Sequence, residues 1–112
     1  MKIKENKYLP PKGFGAINLF GVIFVRHGKQ LTERTIRHEL IHTKQMKEML
    51  YVFFYLWYGV EWLIRLVQYR DRMMAYYNIS FEREAYTNQD NINYLKNRKW
   101  WQWVKYIRIE SL

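Results

Sequence analysis

From residue 13 to residue 26 the chain reads GFGAINLFGVIFVR, rich in β-branched and aromatic residues and punctuated by Gly13, Gly15 and Gly21. That pattern predicts a strand over about 15–20, a bend near Gly21 and a second strand over 22–26. Gly21 would serve equally as a bulge within one longer strand. His27, Gly28 and Lys29 close the unit with a turn. Residues 1–12 read as an extended basic arm ended by Pro10 and Pro11.

Beyond residue 30 the pattern turns helical. Thr32 is a good N-cap, and Glu33 puts a carboxylate in the first turn of a helix running from Glu33 to at least Leu50. Gly59 is expected to kink or end a second helical stretch. Glu61 and Arg65, spaced i,i+4, support a helix over 60–69. Arg70, Asp71 and Arg72 suit a turn or the exposed face of a continuing helix. Ser80 can cap a further helix that opens with Glu82 and Glu84 and reaches about Lys96. Residues 97–99 break it, and 100–108 form a final helix with Trp100, Trp103, Val104 and Ile107 on one face. The expected fold is α+β and mostly α: an N-terminal β-hairpin or short sheet, then an active-site helix, a hydrophobic helix, a Glu-bearing helix and a Trp-rich C-terminal helix.

The length of 112 residues suits one domain, and 49% hydrophobic residues suffice for a core. With no cysteine, disulfides and thiolate metal sites are excluded, so any metal must be held by His and carboxylate. The net charge of +9 favours acidic partners such as nucleic acid, an anionic membrane surface or an acidic protein. The longest apolar run, 49–60, has 12 residues, short of the roughly 20 that span a bilayer. A core helix is expected there. A helix lying in a membrane interface is the alternative, since Trp and Tyr flanked by Lys and Arg suit that zone. The N-terminus has no apolar run, so no signal peptide is expected, and the expected location is the cytoplasm or a membrane periphery.

The chemistry lies in Thr35-Ile36-Arg37-His38-Glu39-Leu40-Ile41-His42, an H-E-x-x-H pattern inside the first predicted helix. Two histidines four apart share a face, so both imidazoles can reach one ion, with zinc the expected occupant. Glu39 then flanks the metal without ligating it. There it can act as general base, taking a proton from metal-bound water and passing it to the leaving amine. A third protein ligand is needed. His27, Glu82 and Glu84 are candidates, with Glu82 and Tyr86 on one helix face and Glu84 on another. Gln45, seven after His38, lies on the metal-facing side and could orient a ligand or touch substrate.

These residues resemble the gluzincin zinc metallopeptidases, which pair H-E-x-x-H with a Glu on a second helix. The likeness is to the groups whose second motif is E-x-x-A-D: the CAAX prenyl and heat-shock membrane proteases, the BlaR-type antirepressor peptidases and the small minigluzincins. Here Glu82-x-x-Ala85 matches that motif, with 39 residues between His42 and Glu82. The resemblance implies His38, His42 and Glu82 as zinc ligands, Glu39 as base, a peptide or protein substrate, and a strand before the helix that holds substrate backbone. It covers about residues 14–90. The chain departs from the family at Tyr86, which stands where a second-shell Asp is expected to hold an imidazole, and at Lys44, where an apolar residue is usual. By residue type Tyr76, Tyr77, Tyr86 and His27 are candidates for the oxyanion donor.

Two other functions compete with a zinc peptidase. One is a zinc-bearing but silent or latent domain, motivated by small size and Tyr86. The other is a basic binder of nucleic acid or membrane, motivated by the charge and by Trp100, Trp101 and Trp103. Such Trp residues more often pack a terminal helix onto a core, so nucleic acid is not the expected partner. The aromatic surface could also support a dimer.

Overall fold

The computed structural model describes residues 2–6, 16–26 and 31–107. His27, Gly28, Lys29, Pro10, Pro11 and Arg108, to which expectations were attached, lie outside the described residues. The fold is α+β and mostly α, with a small N-terminal sheet followed by helices.

The sheet is formed by β1 (Lys2–Asn6), β2 (Ile17–Leu19) and β3 (Val22–Arg26), in the order β1-β3-β2. The arm expected at the N-terminus is therefore partly a strand: β1 pairs parallel to β3, with Lys2 opposite Val22 and Asn6 opposite Arg26. β2 and β3 pair antiparallel and close at Leu19 opposite Val22. The expected bend is a two-residue turn, Phe20-Gly21, with φ of 53° and 89°. Positive φ at both positions matches the twist of a tight hairpin, and Gly21 adopts it without a Cβ clash. On β3, Ile23 and Val25 alternate into the core between half-buried neighbours.

α1 (Glu33–Glu48) starts at the expected cap, where Thr32 Oγ1 accepts from Thr35 N at 3.1 Å. It stops before Leu50 because Leu50 and Tyr51 take positive φ and turn the chain into the next helix. α2 (Val52–Tyr69) runs through Gly59 without a break. A glycine costs roughly 1 kcal/mol in a helix, and here the anchored inner residues Phe54, Glu61 and Arg65 hold α2 together on both sides of it. Arg70 ends α2 in the left-handed region, and Asp71 caps α3 (Arg72–Tyr77) by accepting from Met73 N and Met74 N.

α4 (Ser80–Asn88) corrects two expectations. Ser80 is not its cap. Ile79 holds that position, and the Ser80 hydroxyl donates to Glu61 at 2.6 Å while Ser80 N donates to the same carboxylate at 2.7 Å. A carboxylate from α2 thus does the capping. The helix also ends well short of Lys96, in a stretch of Asn and Asp residues whose side chains compete for backbone groups. Asn88 Nδ2 donates to Glu84 O, and Asn91 Oδ1 accepts from Asn93 N. α5 (Tyr94–Asn97) is a separate turn. The expected C-terminal helix is a 3-10 segment, Gln102–Tyr106, and of its four predicted face residues only Trp103 is buried. Trp103 completes the core with Met46, Met49, Phe54, Ile79 and Phe81.

Candidate metal centre

α1 buries one face, carrying His38, Glu39, His42 and Gln45. α4 packs across it and buries Glu82, Glu84 and Ala85. Ala85 has no exposed surface, and its small side chain lets the helices approach. The crossing brings Glu82 to the two imidazoles. His38 Nε2 and His42 Nε2 are each 3.1 Å from Glu82 Oε1 and 3.1 Å from each other. Among the described residues this is the group of three donor atoms able to hold a metal ion.

The fit can be tested on those distances. Tetrahedral zinc, with ligands at about 2.0–2.1 Å, sets its ligand atoms roughly 3.3–3.4 Å apart. A triangle with 3.1 Å edges needs little adjustment to accept one such ion, with a fourth position left open. The donor set, two imidazoles and a carboxylate, suits zinc and neighbouring divalent metals alike.

The outer atoms of the triad are also held. Gln45 Nε2 donates to Phe81 O at 3.0 Å and to Glu84 Oε1 at 2.9 Å. Both partners are acceptors, so Gln45 Oε1 must be the atom facing His42 Nδ1, at 2.7 Å. His42 Nδ1 therefore carries a hydrogen and donates, which leaves Nε2 to face the centre. Glu82 Oε2 accepts from the Tyr58 hydroxyl at 2.7 Å, leaving Oε1 for the triangle.

Gln89, at the end of α4, stands against His38. Its Oε1 lies 2.9 Å from His38 Nδ1. Turned half a revolution, the amide would instead present its nitrogen to Nδ1 at 2.9 Å and its oxygen to Arg34, at 3.0 Å from Nε and 2.9 Å from Nη2. The second setting satisfies both ends of the amide, whereas the first turns its NH2 toward the Arg34 guanidinium; a metal on His38 Nε2 would require Nδ1 to donate and so would demand the first. Tyr86, a candidate second-shell residue at the position where the resembled family has an imidazole-holding Asp, makes no bond to His38 or His42. Its ring packs edge-on against His38 with centroids 4.4 Å apart, and its hydroxyl bonds Tyr76 at 3.0 Å. Gln89 was missed in the sequence, although it stands seven residues after Glu82, as Gln45 stands seven after His38. Tyr58 was missed because the hydrophobic run that contains it reads as plain core.

Electrostatics follow from burial. His42 is opposed as a cation by desolvation, but the Glu82 carboxylate outweighs this and holds its pKa up at about 9. Glu82 is likewise opposed as an anion by burial, yet His42 and His38 pull its pKa well below the usual carboxylate range. Glu39 differs: burial pushes its pKa up, and the opposing pull of His42 and His38 does not cancel that. Its Oε2 is 4.0 Å from His38 Nε2, so Glu39 stands beside the triangle and outside it. Glu84 is not part of the triangle; it accepts from Gln45, Tyr94 and Arg98. Lys44 is exposed on the outer side of α1.

A cleft of about 380 Å³ opens over Glu39, His42 and Glu82. Ala16 to Leu19 form one wall, and Phe54, Tyr55, Tyr58 and Tyr76 the other. Of the residues considered as oxyanion donors, Tyr76 reaches the lining; Tyr77 is exposed, and its ring packs against Tyr86. Asn18, also missed in the sequence, ties the strand wall to α1. Its Nδ2 donates to Glu39 O at 2.8 Å and to Thr43 Oγ1 at 2.7 Å. β2 is an edge strand, and the hairpin register turns the backbone of Asn18 and Phe20 away from β3. The Tyr55 hydroxyl bridges those groups, accepting from Phe20 N at 2.9 Å and donating to Asn18 O at 3.2 Å.

Compared with known proteins, the chain matches no family model, no curated protein and no solved structure.

Proposed function

We propose that the chain is a zinc-dependent peptidase, with His38, His42 and Glu82 as metal ligands and Glu39 as general base. The observation that carries this reading is the 3.1 Å triangle of ligand atoms at the head of a cleft, with a further carboxylate beside it. A divalent ion held there supplies Lewis acidity and a water acidic enough to lose a proton near neutral pH. Glu39 takes that proton and passes it to the leaving amine. Its desolvated carboxyl binds a proton more firmly than an exposed one does, which suits that shuttle. Asn18 fixes Glu39 by holding its carbonyl, and the β2 edge offers an extended peptide a strand to pair with.

Metal analysis combined with cleavage of a peptide library tests the reading. The wild type and Glu39→Gln should each hold one zinc per chain, and His42→Ala should hold none. Cleavage should fall roughly 100-fold or more in Glu39→Gln. Undiminished cleavage by that variant removes Glu39 as base, and a wild type that takes up no metal removes the whole reading.

One observation favours a second reading, a latent metal-binding domain. The Tyr55 hydroxyl already occupies the outward backbone groups of β2 that a substrate strand would use.

A further inference from the structure

α2 is amphipathic in the reverse sense. Its ionisable side chains, Glu61 and Arg65, are 7% and 2% exposed and face the protein interior. Glu61 receives Ser80 and Arg65 there, and Arg65 also donates to Gln68. On the opposite side Val52, Leu56, Val60, Leu63 and Val67 are 66%, 62%, 50%, 57% and 79% exposed. At 100° per residue these five fall within roughly a quarter turn, along about 22 Å of helix. An uninterrupted apolar stripe of that length facing outward is not what water selects.

The charge around it indicates what covers it. Glu39, Glu48, Glu61, Glu82 and Glu84 are all buried, so half of the ten acidic residues are withdrawn from the surface. The exposed surface is therefore more basic than the net +9 conveys. Exposed cations stand at both ends of the helix: Lys47 before it, Arg70 and Arg72 after it. Trp101 packs at a tilt against Trp103, which meets Trp57 of α2 at 5.3 Å, so the aromatic segment with exposed Lys99 and Lys105 lies next to the stripe. An apolar strip edged by Trp and by Lys and Arg has the chemistry of the lipid-water boundary. A second copy fits less well, since stacking would bring one +9 chain against another. No single helix among the described residues is long and apolar enough to cross a membrane. We propose that the outward face of α2, with the Trp100-Trp101 segment beside it, docks on an anionic lipid bilayer with the helix lying in the plane of the interface.

Co-sedimentation of the full chain with vesicles tests this, using phosphatidylcholine mixed with phosphatidylserine against phosphatidylcholine alone. The wild type should bind the mixed vesicles, and bind them less as salt is raised. Leu56→Glu and Leu63→Glu replace exposed side chains, so circular dichroism should be unchanged. Each should weaken binding roughly tenfold or more, the loss of one buried leucine. Ile92→Glu, which alters an equally exposed apolar side chain off this helix, should bind as the wild type does. Unaltered binding by both α2 variants overturns the proposal. So does a lipid-free dimer that Leu56→Glu and Leu63→Glu dissociate, for the face would then be a self-interface. Zinc content read on the same samples keeps this result separate from the peptidase reading.

Discussion

Gln45 shows how a single side chain sets the chemistry of its neighbours. Its amide nitrogen is committed to Phe81 O and Glu84, so its oxygen has one remaining use, to accept from His42 Nδ1. That bond fixes both the tautomer and the ring angle of a metal ligand. Gln45→Ala should leave the fold in place yet weaken zinc binding by about 10- to 100-fold, measured by competition with a chelator of known affinity. An unchanged affinity would mean that packing alone holds the ring. Much of this was legible at the residue scale. His38, Glu39, His42 and Gln45 stand on one helix, where spacing fixes their relative positions before any tertiary contact exists. Choosing Glu82 over Glu84 needed the resemblance, because both open the same helix. Gln89, Tyr58 and Asn18 were not legible. Each acts on a residue at least 21 positions away, and no local periodicity records such a pairing.

Among the elements, the β2 edge and the start of α2 meet at Tyr55. One hydroxyl satisfies a backbone donor and a backbone acceptor that would otherwise face the cleft. A peptide adding to the strand must displace it at Asn18 O, or pair only with backbone nearer Ala16. Tyr55→Phe removes the obstacle and keeps the ring that packs on Phe20 at 4.9 Å. In the peptidase reading this variant should cleave faster, with the gain in KM, measured on an extended peptide. A slower variant would mean that the hydroxyl braces the strand for substrate. Element boundaries were the less legible part of the sequence, and the causes are identifiable. α4 stops early because Asn88 turns its amide back on its own helix. Gly59 does not interrupt α2 because the residues anchoring that helix lie on its other side. β1 was read as an arm because a parallel partner 20 residues away leaves no trace in a five-residue basic strand.

For the molecule as a whole, Glu61 holds Ser80 and Arg65, and the other four buried acids divide into two systems. Glu82 and Glu39 stand at the candidate metal centre. Glu48 and Glu84 receive Arg98, whose Nη1 lies 2.6 Å from Glu48 Oε2 and whose Nη2 lies 3.0 Å from Glu84 Oε1. The Arg98 side chain is 3% exposed, as is that of Glu48, and Glu84 is sealed completely. Removing one partner from a buried pair strands the other charge, so Arg98→Met should cost about 3–5 kcal/mol, read as a shift in the urea midpoint. A loss below about 1 kcal/mol would place this cluster with ordinary surface ion pairs.

Arg98 reaches further than stability. Glu84 joins it to Gln45, and Gln45 joins it to His42, so three consecutive contacts run from the closing segment of the chain to an imidazole of the triad. Trimming the polypeptide ahead of residue 98 would remove no ligand and leave the cleft walls whole. It would nevertheless remove one support behind His42, while the bonds of Gln45 to Phe81 O and of Tyr94 to Glu84 remain. A shortened protein that still folds should therefore lose its ion to a chelator sooner than the full chain does, making the tail a remote guardian of the metal.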